Sequence, residues 1–388
     1  MPSVSAGTYH SVVVNASGQA YTFGDNEGGQ LSLGEASTSL VPAQVRAMDM
    51  HRIVQASAGD EFTVALTEEG HVYVTGAGNA GQLGFDPRGD GADPREPATL
   101  KAFMRVPALR HHRGLQVAAG SDHTLVLTDT GEVIGFGAGD SGQRGRKYDA
   151  RVPCIPSKVS GLRGVRIVQV AAGAEHSVLL SDLGDVYTFG NGLFGRLGHG
   201  TVASYANPKR VDAFTMNGVQ VAAVASGSEH VLALTTEGAL YSWGSGQCGR
   251  LGHGDDTDRV LPTRVRVLQR ARVRHMATGL AHSVVVTQSG RCFSFGWGEF
   301  GQLGLGHASD TSVPTRVAAL SGIRIAAVAA GAQHTLFKAE EGTLYSCGKG
   351  SRGRLGHGDK TRRLVPERLA HLDPRVVSVD SNVVPAVP

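Results

Sequence analysis

Cysteine, tryptophan and long apolar runs are scarce in this chain, and each scarcity removes a class of protein. Four cysteines occur in 388 residues, at Cys154, Cys248, Cys292 and Cys347, far apart and without metal-ligand spacing. A loop-rich chain would gain from disulfides if it were secreted, so a reducing compartment is expected: intracellular, in the cytoplasm, the nucleus or both. No apolar run approaches the roughly 20 residues of a membrane helix, and no membrane insertion is expected. The first repeat begins almost at Met1, and no signal peptide is expected. Charge of either sign is weak too, with 37 Lys and Arg against 34 Asp and Glu. Proteins that hold nucleic acid by its phosphates carry a concentrated basic patch or tail, so direct DNA binding is not expected. The densest basic stretch is Arg259, Arg264, Arg266, Arg270, Arg272 and Arg274. It reads as a solvated outer strand, with a docking strip for an acidic partner as the alternative.

Glycine is what the chain has in excess, with 54 Gly against 15 Pro. A surplus of Gly without matching Pro means many chain reversals. Those reversals are periodic. A strand-like segment ends in Gly at Gly7, Gly59, Gly120, Gly173, Gly227, Gly279 and Gly331. Further glycines follow each of these at constant offsets. In the first repeat they are Gly18, Gly24 and Gly29; in the last, Gly342, Gly348 and Gly353. Between them lie an apolar run such as His176-Ser177-Val178-Leu179-Leu180, a polar turn ending in Gly, a strand such as Val186-Tyr187-Thr188-Phe189, and a Gly-Gln-Leu-Gly or Gly-Arg-Leu-Gly turn. A Pro-x-x-Val strand closes the unit, as at Pro42 to Val45 or Pro262 to Val265. The second glycine supplies the positive φ of a tight hairpin.

Four short strands per repeat, repeated seven times without helical periodicity, are best buried as radial blades. The expected fold is therefore all-β, a seven-bladed β-propeller of four-stranded antiparallel blades. One domain covers 1–388. Its repeats span about 1–52, 53–114, 115–166, 167–218, 219–271, 272–322 and 323–372, followed by a closing strand at 375–380. The first repeat has only a stub before its glycine, and Arg375 to Val379 resembles an unpaired leading strand. The N- and C-terminal strands are expected to share one blade and close the ring.

Several constellations carry possible chemistry. His10, His123, His176, His230, His282 and His334 recur at one repeat position, with Phe62 in the remaining copy. Rotation-related side chains point away from one another and cannot converge on one ion, so no metal or other cofactor is expected. A structural imidazole tied to backbone is the simpler account, and it extends to His199, His253, His307 and His357. Strings such as Gly190-Asn191-Gly192 follow a strand but open no helix, and no nucleophilic triad stands out, so the chain is not expected to be an enzyme. Binding sites on propellers are made by loops that break the symmetry. The acidic residues Asp60, Glu61, Asp122, Glu175 and Glu229, with His230, fall at neighbouring loop positions in repeats two to five. They should share one face as a negative arc, either solvated or docked to a protein partner. The interval after Gly59 is also longer than the rest. Its surplus lies between Gly84 and Leu115, with Asp86, Arg88, Asp90, Arg110 and Arg113 as a candidate specificity loop.

The Ala-Gly-x-x-His, Gly-x-Val-Tyr-x-Phe-Gly and Gly-Gln-Leu-Gly elements resemble the regulator of chromosome condensation repeat, over nearly the whole chain. The resemblance implies a propeller that binds proteins; a monomer is expected. Members of the family include an exchange factor for the small GTPase Ran, a plant ultraviolet receptor, and propeller domains of ubiquitin ligases and ciliary proteins. The photoreceptor places Trp directly after the first glycine of several repeats. Here those positions hold Thr8, Asp60, Ser121, Ala174, Ser228, Leu280 and Ala332, and light reception is not expected. Similarity to the exchange factor places its functional loop residues at Asp60, Asp122 and His230. That factor also has a wedge hairpin between the Phe-Gly and the next turn, where every copy here has a short gap, and a basic N-terminal tail, which is not expected here. A scaffold or adaptor is the first expectation; guanine-nucleotide exchange on a Ran-like GTPase is the alternative.

Overall fold

The computed structural model describes residues 3–89, 93, 95–146 and 155–372. Seven separate four-stranded antiparallel sheets form a ring, a seven-bladed β-propeller. In the first blade the strands are Val4–Ala6, His10–Val14, Ala20–Asp25 and Thr38–Gln44, hydrogen-bonded in chain order. The last blade repeats this with Ile325–Ala330, His334–Ala339, Leu344–Gly348 and Arg363–Arg368. Leading strands of adjacent blades touch around the axis, which places the fourth strands at the perimeter. The first blade draws all four of its strands from the N-terminal repeat. The expected closing strand at 375–380 lies outside the described residues.

Burial explains why the strands lack polar alternation. The second strand of each blade is sandwiched between neighbouring blades, and Phe62–Thr67, His176–Ser181 and His334–Ala339 are buried at every residue. Apolar clusters run between blades: Val178, Val211, Val224, Val231 and Trp243 join blades four and five. Each such side chain contributes about 1.5–3 kcal/mol when removed from water, so the seams between blades hold most of the stabilising burial.

Polar staples fix the register of each seam. His10 Nε2 lies 2.8 Å from Thr63 Oγ1 of the next blade, and Thr63 donates its hydroxyl proton to Gln30 O of the first blade at 2.8 Å. The one hydroxyl proton is committed to the carbonyl, so the imidazole must donate through Nε2. Nδ1 is then a bare acceptor without a partner. The same pair of bonds recurs for His123 with Ser177, His230 with Ser283 and His282 with Thr335. His334 with Ser11, whose hydroxyl reaches Arg354 O, closes blade seven onto blade one. The repeated histidines are thus tied mainly to hydroxyls of the following blade, and through them to backbone. Blade five carries Val231 where the hydroxyl belongs. There Ser226 accepts from His176, and Trp243 Nε1 donates to the vacated Arg196 carbonyl at 3.0 Å.

The first glycine of each repeat serves close approach rather than a turn. A Cβ on Gly227 would meet Gly279 O of the next blade at 2.6 Å and the His230 ring at 2.5 Å. The seven glycines form a closed circuit of this kind, in which Gly331 abuts Gly7. On the perimeter a second belt runs from the His-Gly turn of one blade to the outer strand of the next, as in Gly254 N to Ser312 O at 2.9 Å and Gly358 N to Leu40 O at 2.9 Å.

Candidate functional site

Antiparallel pairing sends the loops to two ends of the ring. One end carries the Gly-x-x-His loops and the connections between third and outer strands. The other carries the hairpins and the links between blades. The first end opens onto the central channel, a cavity of about 260 Å³ lined by all seven glycine loops.

Asp60, Glu61, Asp122, Glu175 and Glu229 all lie on this loop face in consecutive blades. Asp60 accepts from Thr8 Oγ1 at 2.6 Å, Asp122 from Gln82 Nε2 at 3.2 Å and Glu175 from Asn191 Nδ2 at 2.7 Å. Asp122 reaches solvent, yet its carboxyl is raised from its usual value, first by partial desolvation and then by repulsion from Asp60, Glu61 and Asp140. These four carboxylates from blades two and three therefore act as one negative field. Asp140 joins the set from the structure; in the sequence it sits in a turn where only Glu27 and Glu299 of the other repeats are acidic.

Two candidates change role. His230 is fully buried and donates to Ser283, so it offers nothing to a partner at the surface. Glu229 spans a seam, with its oxygens 3.4 Å from Arg196 Nη2 and 3.1 Å from Arg250 Nη1. Both guanidinium groups are nearly buried, so Glu229 is their counter-ion before it is anyone else's.

The proposed specificity loop divides. Asp86 and Arg88 lie between the third strand Val72–Ala77 and the outer strand Thr99–Arg105, on the loop face, and pair at 2.7 Å. Arg110 and Arg113 follow that outer strand and sit at the opposite end, where Arg113 O accepts from Asp129 N of the next hairpin. They cannot belong to one site because a complete strand separates them. Asp90 lies outside the described residues. The Arg259–Arg264 strand is the outer strand expected of it, with Arg259 paired to Asp255 at 2.7 Å. Arg274 bridges to Glu340 at 2.9 Å.

The remaining blades present other chemistry on the loop face. Leu280 is exposed, Trp297 meets Phe300 edge-on with centroids 5.1 Å apart, and Lys349 Nζ stands 4.3 Å over the Phe300 ring. Arg352 lies over Tyr9 and pairs with Asp25 at 2.9 Å and Glu27 at 3.2 Å. Comparing the residue after the third glycine across repeats finds this group: Trp297 and Lys349 stand where other blades carry Asp25, Asn191 and Ser245. Among the described residues no cluster of three or more His, Cys, Asp or Glu could hold a metal ion, and no helix is long and apolar enough to cross a membrane.

A seven-bladed ring stapled through Gly-x-x-His loops, with variable side chains at one channel mouth, defines a class of propeller. The chain belongs to the regulator of chromosome condensation (RCC1) repeat family. The RCC1-like domain matches residues 113–384, and the RCC1 repeat matches residues 17–66 and 69–127. The chain is 34% identical over 370 residues to the ultraviolet-B receptor UVR8 of Arabidopsis thaliana, covering 95% of this chain and 81% of the receptor. It is 33% identical over 365 residues to the human E3 ubiquitin-protein ligase HERC2, covering 93% of this chain but only 7% of the ligase. The solved structure of Prp20p from Saccharomyces cerevisiae, a protein with binding properties toward Gsp1p and histones, superposes with a TM-score of 0.74 at 27% identity, covering 87% of this chain and 82% of Prp20p.

Proposed function

We propose that the chain is a protein-binding scaffold or adaptor that engages its partner through the loop face and turns nothing over. The observation that carries this reading is the run of carboxylates in consecutive blades. Glu61, Asp122 and Glu175 occupy one equivalent loop position, with Asp60 beside them, on a ring whose seams are fully stapled. Folding does not require these charges, since the staples run through His, Ser, Thr and backbone groups. A rigid negative arc beside a channel mouth suits a partner with a basic surface, for which it would speed encounter and fix orientation. The chain would act as a monomer inside the cell, in the cytoplasm, the nucleus or both. Reversing Asp122 and Glu175 together to Lys should abolish capture of a partner isolated by pulldown while leaving the melting temperature unchanged. Undiminished capture would discard the arc.

A second reading, guanine-nucleotide exchange on a small Ran-like GTPase, is favoured by Asp60 and Asp122, which occupy the loop positions that the family resemblance assigns to exchange. The burial of His230 removes the third of those positions. Stopped-flow release of labelled GDP from the captured GTPase separates the two readings: acceleration supports exchange, and unchanged release leaves the scaffold. Photoreception is not part of either reading, because the seven positions after the first glycines carry no aromatic ring.

A further inference from the structure

The acidic arc stops where the aromatic residues begin. At the loop position two residues beyond the first glycine, blades two to five carry Glu61, Asp122, Glu175 and Glu229. Blades six and seven carry Ala281 and Gln333. The residue after each third glycine touches this same loop: Trp297 N donates to Ala281 O at 2.8 Å and Lys349 N to Gln333 O at 2.9 Å. The sector therefore has a floor of uncharged loop residues, an aromatic pair and the Lys349 ammonium group, with the exposed carboxylate of Glu299 on the Phe300 turn. Trp297 and Phe300 are only half-buried.

Lys349 is the informative member. No carboxylate among the described residues lies within ion-pair reach of its Nζ, which stands over Phe300 instead. Of the other cations on this side, Arg352 is already neutralised by Asp25 and Glu27, and exposed Arg362 donates to Glu299 O at 3.3 Å. An ammonium group held over a ring is pre-positioned, so a ligand carboxylate arriving there loses little side-chain freedom in forming the pair. The Trp297 ring, packed on Phe300, provides apolar surface beside it, and exposed Leu280 lies on the adjoining glycine loop, where its N donates to Gly331 O at 3.3 Å.

We propose that blades six and seven form an anchoring subsite for a polypeptide segment that places a carboxylate beside an apolar or aromatic side chain. The carboxylate would meet Lys349 and the apolar group would pack on Phe300, Trp297 and Leu280. This rests on the protein-binding reading above and names the chemistry of the bound segment. A polypeptide fits better than a nucleic acid, because a phosphate chain leaving this sector in one direction runs over the carboxylates of blades two to four. Exposed Glu299, on the same turn as Phe300, would oppose the ligand carboxylate.

The test is a random peptide library displayed on phage and panned against the full chain, followed by fluorescence anisotropy with the enriched peptides. Enriched sequences should pair Asp or Glu with Phe, Leu or Trp. Their affinity should fall about tenfold or more in Lys349→Glu and in Trp297→Ala. It should recover in Lys349→Arg, rise in Glu299→Gln, and not depend on Asp122 or Glu175. All of these positions reach solvent, and thermal melts verify that the variants fold. Enrichment of basic peptides that respond only to Asp122→Lys and Glu175→Lys would overturn the subsite while leaving protein binding at the loop face intact. No enrichment, binding of an oligothymidylate that Lys349→Glu removes, or a dimer in light scattering that the same variant dissolves would each overturn it as well.

Discussion

Acid should unfold this ring through its histidines before it reaches the range where carboxylates titrate. His10 and His282 are pulled down to about 3 and His123 to about 4, chiefly by burial, and His176, His230 and His334 lie well below the ordinary value of 6.5 for the same reason. The geometry gives the cause at atomic level. Each Nε2 spends its proton on a hydroxyl, and a second proton at Nδ1 would find no acceptor in the seam. The folded ring therefore keeps all six neutral, while the unfolded chain binds protons below about 6.5. A depressed folded pKa means that stability is fully present above the unfolded value and drains away as pH falls toward the folded one. Each imidazole removes about 1.4 kcal/mol per pH unit once pH is well below 6.5. Six in step approach about 8 kcal/mol per pH unit, a loss comparable with the whole stability of an ordinary domain. Urea unfolding followed by Trp243 fluorescence, from pH 7.5 to 5, reads this directly. The variant His123→Phe copies the natural arrangement at Phe62, where Thr124 keeps its bond to Gln82 O without an imidazole. It should remove one proton, or about 1.4 kcal/mol per pH unit, from the slope. A midpoint flat between pH 7.5 and 5.5, or a slope that His123→Phe leaves unaltered, would refute the staple.

Two further outcomes follow from the seams. Ser11→Ala should cost about 2–5 kcal/mol, because it strands both the His334 Nε2–H and the Arg354 carbonyl in a buried site; adding His334→Phe should cost less than that single change predicts if the pair acts as one unit, and strict additivity in a double-mutant cycle would deny the coupling. Gly227→Ala should lower the melting temperature strongly even though this glycine is not in the left-handed region, since its methyl would collide with the Gly279 carbonyl and the His230 ring; an unchanged melt would mean that the inner circuit can expand.

The repeat made the ring readable because every blade must bury the same surfaces, so glycine spacing, hairpin chemistry and strand count recur without alteration. Side-chain direction was legible only where a residue's partner lies in its own repeat. His230 looks like a loop residue in the chain, but its orientation is set by Ser283 in the following blade. Glu229 likewise resembles its acidic neighbours, and only Arg196 and Arg250, turned inward from two different repeats, reveal that it is committed. In the sequence Arg110 and Arg113 fall together with Asp86 because the strand between them is disguised. Blade two has Phe103-Met104-Arg105-Val106 where the other blades carry Pro-x-x-Val or, in blade seven, Pro-x-x-Leu, and without the proline the stretch reads as part of a long loop. Lys349 and Trp297 were hidden for the opposite reason: each is ordinary alone, and they become a platform only when adjacent repeats are placed side by side.

These exceptions separate two kinds of position on the same loops. One kind answers to the neighbouring blade, and its substitutions are compensated inside the molecule. Where Val231 removes a hydroxyl, Ser226 and Trp243 take up both orphaned groups, so an alteration in one repeat is matched by alterations elsewhere. The other kind answers to nothing within the ring. Changing Glu61 or Lys349 orphans no buried atom, and neither side chain forms an ion pair with any described residue. Positions under no internal constraint would be expected to drift toward a mixed, solvated surface. Uncommitted carboxylates instead occupy three consecutive blades, two to four, and an aromatic–ammonium group occupies blades six and seven. On the protein-binding reading proposed above, such ordering would come from outside the ring, and a partner that spans several blades at once, touching both sectors, would supply that constraint in a way that a small ligand confined to the channel mouth would not.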